Sequence, residues 1–278
     1  MGLRRRALPA GWYPGGRSEV LEIMRAWEKE IENSGKSAFS GIAGVVPHAG
    51  WTFSGKLAFS VFKGLEGDLD SIVVVGGHLP PSGGILTARE SEYETPLGNI
   101  AADLDLLNLI EGAINCKEDV YSDNTVEIQM PFIKYLFPSV KTVGLRAEPG
   151  RNALNLGEVL CNCARKLKKK IAVVGSTDLT HYGPSYGFSP AGKGKKAEEW
   201  VMEINDRKII EALLSLRAAE AIELAVHEKS ACSAGGAAAA AAYASGCGVK
   251  EGVLIDYYTS LKIHSSDSFV GYAGIIYG

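Results

Sequence analysis

Histidine and cysteine are scarce in this chain, five of each among 278 residues. Any chemistry that needs an imidazole or a thiol must draw on those ten side chains. Charge of one sign is also lacking. Lys and Arg total 29 against 32 Asp and Glu, the net charge is −3, and no block of like charge exceeds Arg4-Arg5-Arg6 or Lys168-Lys169-Lys170 in length, so nothing favours a nucleic-acid partner. No apolar core follows the N-terminal arginines, and the sixth position holds Arg6 where myristoylation wants Ser or Thr, so neither a signal peptide nor a lipid anchor is expected. The longest uncharged stretch, 230–249, is mostly Ala, Gly and Ser and reads as a closely packed internal helix rather than a membrane span. The odd number of cysteines has no framework spacing, which points to a reducing, cytoplasmic setting. The content of apolar residues (46%) and charged residues (22%) is that of a folded globular chain and excludes disordered or collagen-like classes.

What is present is an alternation of helices and short apolar runs. Residues 18–31 place Val20, Met24, Trp27 and Ile31 on one helical face, with Ser18 as cap and Gly35 as stop. The runs 42–46, 72–75, 141–145 and 171–174 read as strands buried on both faces. Helices are expected over 54–65, 103–113 and 125–136, the last kinked or started at Pro131. Another begins near Ala153 and carries Leu156, Leu160, Cys163 and Leu167, and more follow over 195–214, 217–226 and 232–244. Residues 253–259 and 269–277 alternate apolar and polar as an antiparallel pair around the turn His264-Ser265-Ser266-Asp267. The pattern predicts one α/β domain over 1–278, three layers deep, with a mainly parallel central sheet flanked by helices.

Three of the five histidines follow buried strands. His48 comes after the run 42–46, His78 after 72–75 and His181 after 171–174. In a parallel sheet those ends share one edge, where ligands bind, so three imidazoles can converge. Pro47-His48-Ala49-Gly50 and Gly76-Gly77-His78 are tight turns suited to holding a side chain rigidly. An ordinary strand-to-helix turn explains the glycines equally well, but not a histidine in each turn. His227, on a charged helix end, reads as a solvated residue, and His264 as a lesser candidate in the last turn. Among the cysteines, Cys163 fits a core face, Cys161 points elsewhere, and Cys116 and Cys247 carry no partner signature. Cys232 stands out at the start of the alanine-rich helix, where a helix N-terminus would lower its pKa and favour the thiolate, although a small buried cysteine explains the position as well. Asp178, Asp123 and Glu127 are the carboxylates that could ligate a metal or orient a histidine.

These residues lie in a series of motifs: Gly11-Trp12-Tyr13-Pro14, Pro47-His48-Ala49-Gly50-Trp51, Gly76-Gly77-His78, Thr95-Pro96-Leu97-Gly98, Val126-Glu127-Ile128-Gln129-Met130-Pro131-Phe132, Ser176-Thr177-Asp178-Leu179-Thr180-His181-Tyr182, Cys232 and Gly271-Tyr272-Ala273. In that order and spacing the chain resembles the Memo family, also called AmmeMemoRadiSam system protein B, over nearly its whole length. The resemblance implies the fold of class III extradiol dioxygenases, which are non-haem iron enzymes. It implies metal ligands at His48, His78 and Cys232, the last where those dioxygenases carry a carboxylate, with His181 as an acid/base residue. It also implies association with AMMECR-type and radical-SAM proteins. Three departures stand out. Asn124 replaces a pocket histidine, Gly76-Gly77 replaces a Gly-Pro-polar turn, and Ser233 rather than Gly follows Cys232.

The leading expectation is a non-haem metal pocket, two histidines and a thiolate holding Fe(II) or Cu, serving redox chemistry on a small substrate, with His181 moving a proton beside Asp178. A metal-independent thiol enzyme built on Cys232 and a histidine uses the same residues. So does a non-catalytic module that binds a peptide or partner in the pocket.

Overall fold

A computed structural model of the chain describes residues 2–33, 39–121 and 123–278, so the expected helix stop at Gly35 lies outside the described residues. The strands in chain order are β1 (Leu3–Arg4), β2 (Ala43–Val46), β3 (Ser71–Gly76), β4 (Ile85–Thr87), β5 (Glu92–Tyr93), β6 (Ile100–Ala101), β7 (Cys116–Glu118), β8 (Lys141–Ala147), β9 (Ile171–Ser176), β10 (His181–Tyr182), β11 (Gly252–Thr259) and β12 (Phe269–Tyr277). The helices are α1 (Arg17–Asn33), α2 (Lys56–Lys63), α3 (Leu104–Ala113), α4 (Asn124–Glu127), α5 (Met130–Leu136), α6 (Arg151–Leu167), α7 (Lys195–Trp200), α8 (Asp206–Leu214), α9 (Ala218–Glu228) and α10 (Ala234–Gly246).

The main sheet has nine strands in the order β10-β12-β2-β9-β3-β8-β4-β7, with β11 also paired to β12. Its centre, β2-β9-β3-β8, is parallel throughout. β12 runs antiparallel to β2, β10 and β11, and β4 antiparallel to β8, so the sheet is mixed around a parallel centre. The central strands are buried at nearly every position because both faces are covered. Side chains alternate between the layers: Val73 and Val75 join the core under α3, α6, α8, α9 and α10, whereas Ile72 and Val74 join the core under α1, α2, α4 and α5. The expected three-layer α/β architecture is therefore the one observed.

Some elements differ from expectation. The 125–136 segment is two helices, α4 and α5, with Pro131 in the first turn of α5. A π-helical stretch, Val201–Asn205, joins α7 to α8. β12 does not alternate: all nine of its residues are buried, because it lies between paired strands and α2 packs over it, with Leu57 and Val61 against Gly274. The alanine run owes its composition to close approach. A Cβ on Gly236 would stand 2.2 Å from the Val75 carbonyl oxygen, and one on Gly235 would stand 2.2 Å from that of Ala147. α10 thus lies flush on the sheet with its N-terminus at the carboxyl ends of β3 and β8. No helix among the described residues is long and apolar enough to cross a membrane.

Candidate metal centre

β2 delivers Pro47 and His48, and β3 delivers Gly76, Gly77 and His78, to one sheet edge. Cys232 comes to the same place from the turn before α10. Nε2 of His48 is 3.2 Å from Nε2 of His78 and 3.2 Å from Sγ of Cys232. One donor atom from each residue falls within 4.8 Å of the others, and these three residues could hold a metal ion. Bonds of about 2.0–2.3 Å to one ion put neighbouring ligand atoms roughly 3–4 Å apart, and the two 3.2 Å separations from His48 fall in that range.

Each donor is held from behind. His48 is buried, its backbone N–H donates to Asp178 Oδ1 at 2.7 Å, and its Nδ1 lies 3.2 Å from Ser176 Oγ. With Nδ1–H donating there, the Nε2 lone pair faces the centre. Gln129 Nε2 supports the same strand ends, donating to the Pro47 carbonyl at 2.9 Å and to Ser176 Oγ at 3.2 Å. Burial, reinforced by the nearby His78, lowers the His48 pKa to about 3, so its imidazole stays neutral and available as a ligand.

His78 is the exposed donor, with its Nδ1 3.3 Å from Asp123 Oδ2. Burial pushes the Asp123 carboxyl up, but hydrogen bonds from His78 and Thr125 outweigh it and hold the carboxyl well below the usual range. The buried Arg146 guanidinium braces this carboxylate at 3.5 Å while it pairs with Asp119. Thr125 also explains the unusual turn. Gly77 takes a left-handed φ of +118° and its N–H donates to Thr125 Oγ1 at 2.8 Å, while a Cβ on Gly76 would stand 2.1 Å from that oxygen. The Gly76-Gly77 pair is what this packing requires.

Cys232 corrects one expectation. It precedes α10 rather than starting it, and burial, aided by the Asp178 carboxylate, pushes its thiol well up rather than down. Desolvation of the thiolate outweighs the helix terminus. Its backbone N–H donates to the Asp178 carbonyl at 3.2 Å, which ties the cysteine to the Ser176–Tyr182 loop.

Asp178 and His181 lie in that loop and line the same cavity, about 390 Å³, as His48 and His78. Burial raises the Asp178 carboxyl, against the opposing charge of His181, and burial lowers the His181 imidazole, against the opposing charge of Asp178. His181 packs against Tyr186, its ring centroid 4.8 Å away. Trp12, Phe53, Tyr186 and Tyr272 supply aromatic wall, and Asn124, His264, Ser266 and Ser268 supply polar wall. Asn124, the first residue of α4, donates to the His48 carbonyl at 3.2 Å. His227 is exposed on the last turn of α9, as expected.

Other residues act further out. Glu127 is no ligand: it accepts from the backbone of Ala7 and Leu8 and from the Tyr13 hydroxyl, and so anchors the segment that carries Trp12. Asp206, which the sequence did not single out, accepts from the backbone N–H of Thr180 at 3.0 Å and from Tyr257 Oη at 2.8 Å, fixing the His181 loop from beneath. A Cβ on Gly271 would stand 1.9 Å from Asp206 Oδ2, which accounts for glycine there. A larger groove, about 1030 Å³, shares Trp12 and Phe53 with the cavity but is lined by neither histidine nor cysteine.

The comparisons with known proteins place the chain in a family. The family described as Memo-like protein matches residues 4–276. A MEMO1 family protein of Pyrococcus furiosus is 31% identical, with 98% of each chain covered. One of Methanococcoides burtonii is 31% identical and one of Thermococcus onnurineus 28%, each with 99% of both chains covered. A solved structure of the uncharacterized protein JW3007 from Escherichia coli K12 shares the fold alone, with a TM-score of 0.51 at 12% identity, covering 85% of this chain and 99% of that one. With the match running from the first strand to the last, the chain belongs to the Memo-like protein family.

Proposed function

We propose that the chain is a non-haem metal protein that binds Fe(II) or Cu through His48, His78 and Cys232 and acts on a small molecule in the adjoining cavity. The observation that carries this reading is the meeting of the three donor atoms within 4.8 Å, each from a different segment of the chain. Two imidazoles and a sulfur form a donor set for soft to borderline first-row ions. Such an ion would supply redox and Lewis-acid chemistry. The remaining work falls to the chain. The cavity size is that of a small-molecule site, and its lining offers aromatic and polar side chains in similar measure. His181, kept neutral by burial, accepts a proton from the ligand, and the Asp178 carboxylate stabilises the imidazolium that results.

The raised Cys232 thiol weighs against a metal-independent thiol enzyme, since a nucleophile needs the thiolate. Anaerobic titration of the purified chain with Fe(II) and with Cu(I) tests the proposal. One ion per chain is expected, with binding lost in His48→Ala and in Cys232→Ala. Absence of stoichiometric binding to the wild type overturns it. His181→Ala is expected to keep the ion, because His181 is not among the three donors.

A further inference from the structure

Two cysteines outside the metal centre meet across a helix pair. Cys161 lies on α6 and Cys247 follows the last residue of α10, 86 positions away, yet their sulfurs are 2.7 Å apart. Unbonded atoms of the second and third rows rest roughly 3.5–4 Å apart, so these sulfurs lie well inside ordinary contact. The approach is set by backbone packing. Gly157, one turn before Cys161 on the same face of α6, sits so close to α10 that a Cβ there would stand 2.6 Å from the Ala239 carbonyl oxygen. A Cβ on Gly246 would be 3.6 Å from that of Cys161, and Arg165 donates to the Gly246 carbonyl at 2.8 Å. These contacts hold the two helices close together where the sulfurs meet. Among the described residues the pair has no third ligand that would make it a metal site.

We propose that Cys161 and Cys247 are a site of reversible disulfide formation that staples the C-terminal end of α10 to α6. The oxidant class is a small-molecule disulfide such as glutathione disulfide. Cys247 is the less buried of the two. Burial and the neighbouring Cys161 thiol raise its own thiol pKa to about 12, so exchange is slow and quickens at alkaline pH, where the Cys247 thiolate bonds to one glutathione sulfur and expels the other glutathione as thiolate. Cys161 then attacks the Cys247 sulfur, the protein disulfide forms and the second glutathione leaves. The chain gives up two electrons and two protons, and one glutathione disulfide becomes two thiols. α10 has 13 residues, so the cross-link lies ~20 Å from Cys232, at the opposite end of the same helix. It constrains the unfolded chain across the whole segment that carries the His181 loop and Cys232, without touching either.

The test equilibrates the full-length chain with glutathione disulfide, quenches with acid, alkylates under denaturing conditions and maps the peptides. Metal-free and metal-loaded protein are treated alike. The expected result is a loss of two alkylatable thiols and a cross-linked peptide pair containing Cys161 and Cys247. The melting midpoint should rise by roughly 5–15 °C and return on addition of dithiothreitol. Cys161→Ser and Cys247→Ser should each abolish the cross-link, whereas Cys116→Ser and Cys163→Ser keep it. Five alkylatable thiols after oxidation, or a cross-link that maps to another cysteine, overturns the proposal. Because the thiol count is made on the wild type, it does not depend on how the serine variants fold.

Discussion

A metal-ligating histidine almost always donates its other ring N–H to a partner that fixes its tautomer and orientation. Ser176 does this for His48, and Asp123 does it for His78, whose ring is otherwise half in solvent. On the proposed metal reading, Asp123 is the positioning residue for His78, the most exposed of the three. Asp123→Ala is expected to weaken binding of Fe(II) or Cu(I) by about 10–100-fold, with partial recovery in Asp123→Glu. Nitrogen NMR of the metal-free protein should show the His78 proton on Nδ1 in the wild type and shared between both nitrogens in Asp123→Ala. Unchanged affinity together with an unchanged tautomer rejects the role. The sequence marked Asp123 only as one of several carboxylates near a histidine. Its role depends on Thr125 and Arg146, which reach it from α4 and β8.

At the scale of elements, α10 shows how composition places chemistry. Small residues let the helix backbone touch the sheet, and that contact aims the turn with Cys232 at the two histidines. Gly236→Ala drives a methyl group against the Val75 backbone carbonyl, which cannot swing aside as a side chain could. It should destabilise by about 1–3 kcal/mol or more and lower metal affinity as Cys232 moves. Gly112→Ala on α3, where the added carbon meets nothing within 4 Å, should be neutral or stabilise by up to about 1 kcal/mol. Urea unfolding of both variants decides, and equal midpoints would remove close approach as the reason for the glycines. The apolar periodicity of α6 and the buried runs of the central strands were legible in the sequence, because burial on a regular element repeats at a fixed period. β4, β5, β6 and β7, two or three residues each, were not, since so short a strand has no period to read.

For the molecule as a whole, Asp206 links stability to pH. It is fully buried, and burial lifts its carboxyl to about 6 despite hydrogen bonds from Thr180 and Tyr257. An unfolded aspartate titrates near ~3.9, so between these values the folded chain keeps a proton that the unfolded chain has lost. The Asp206 contribution to stability therefore falls as pH rises from about 4 to about 6, and is level above that range. Asp206→Asn removes this slope and preserves the acceptor for Thr180. The stability difference between wild type and variant should shift by up to about 3 kcal/mol across the window, against the wild type as pH rises. Denaturant titrations at four pH values read it, and a difference that stays constant with pH refutes it.

The sequence by itself determined the alternation of elements, the two-sided burial of the central strands and the set of residues that end at one sheet edge. Those properties follow from local period and from the rule that parallel strands deliver their carboxyl ends together. Only the tertiary structure decided which of those residues meet. It brought His48, His78 and Cys232 to one point and gave Asp123 to His78. It turned Glu127 toward the N-terminal segment and set Cys161 against Cys247. It also reversed the expectation for the Cys232 thiol, because desolvation depends on what surrounds the sulfur in space and not on its neighbours along the chain.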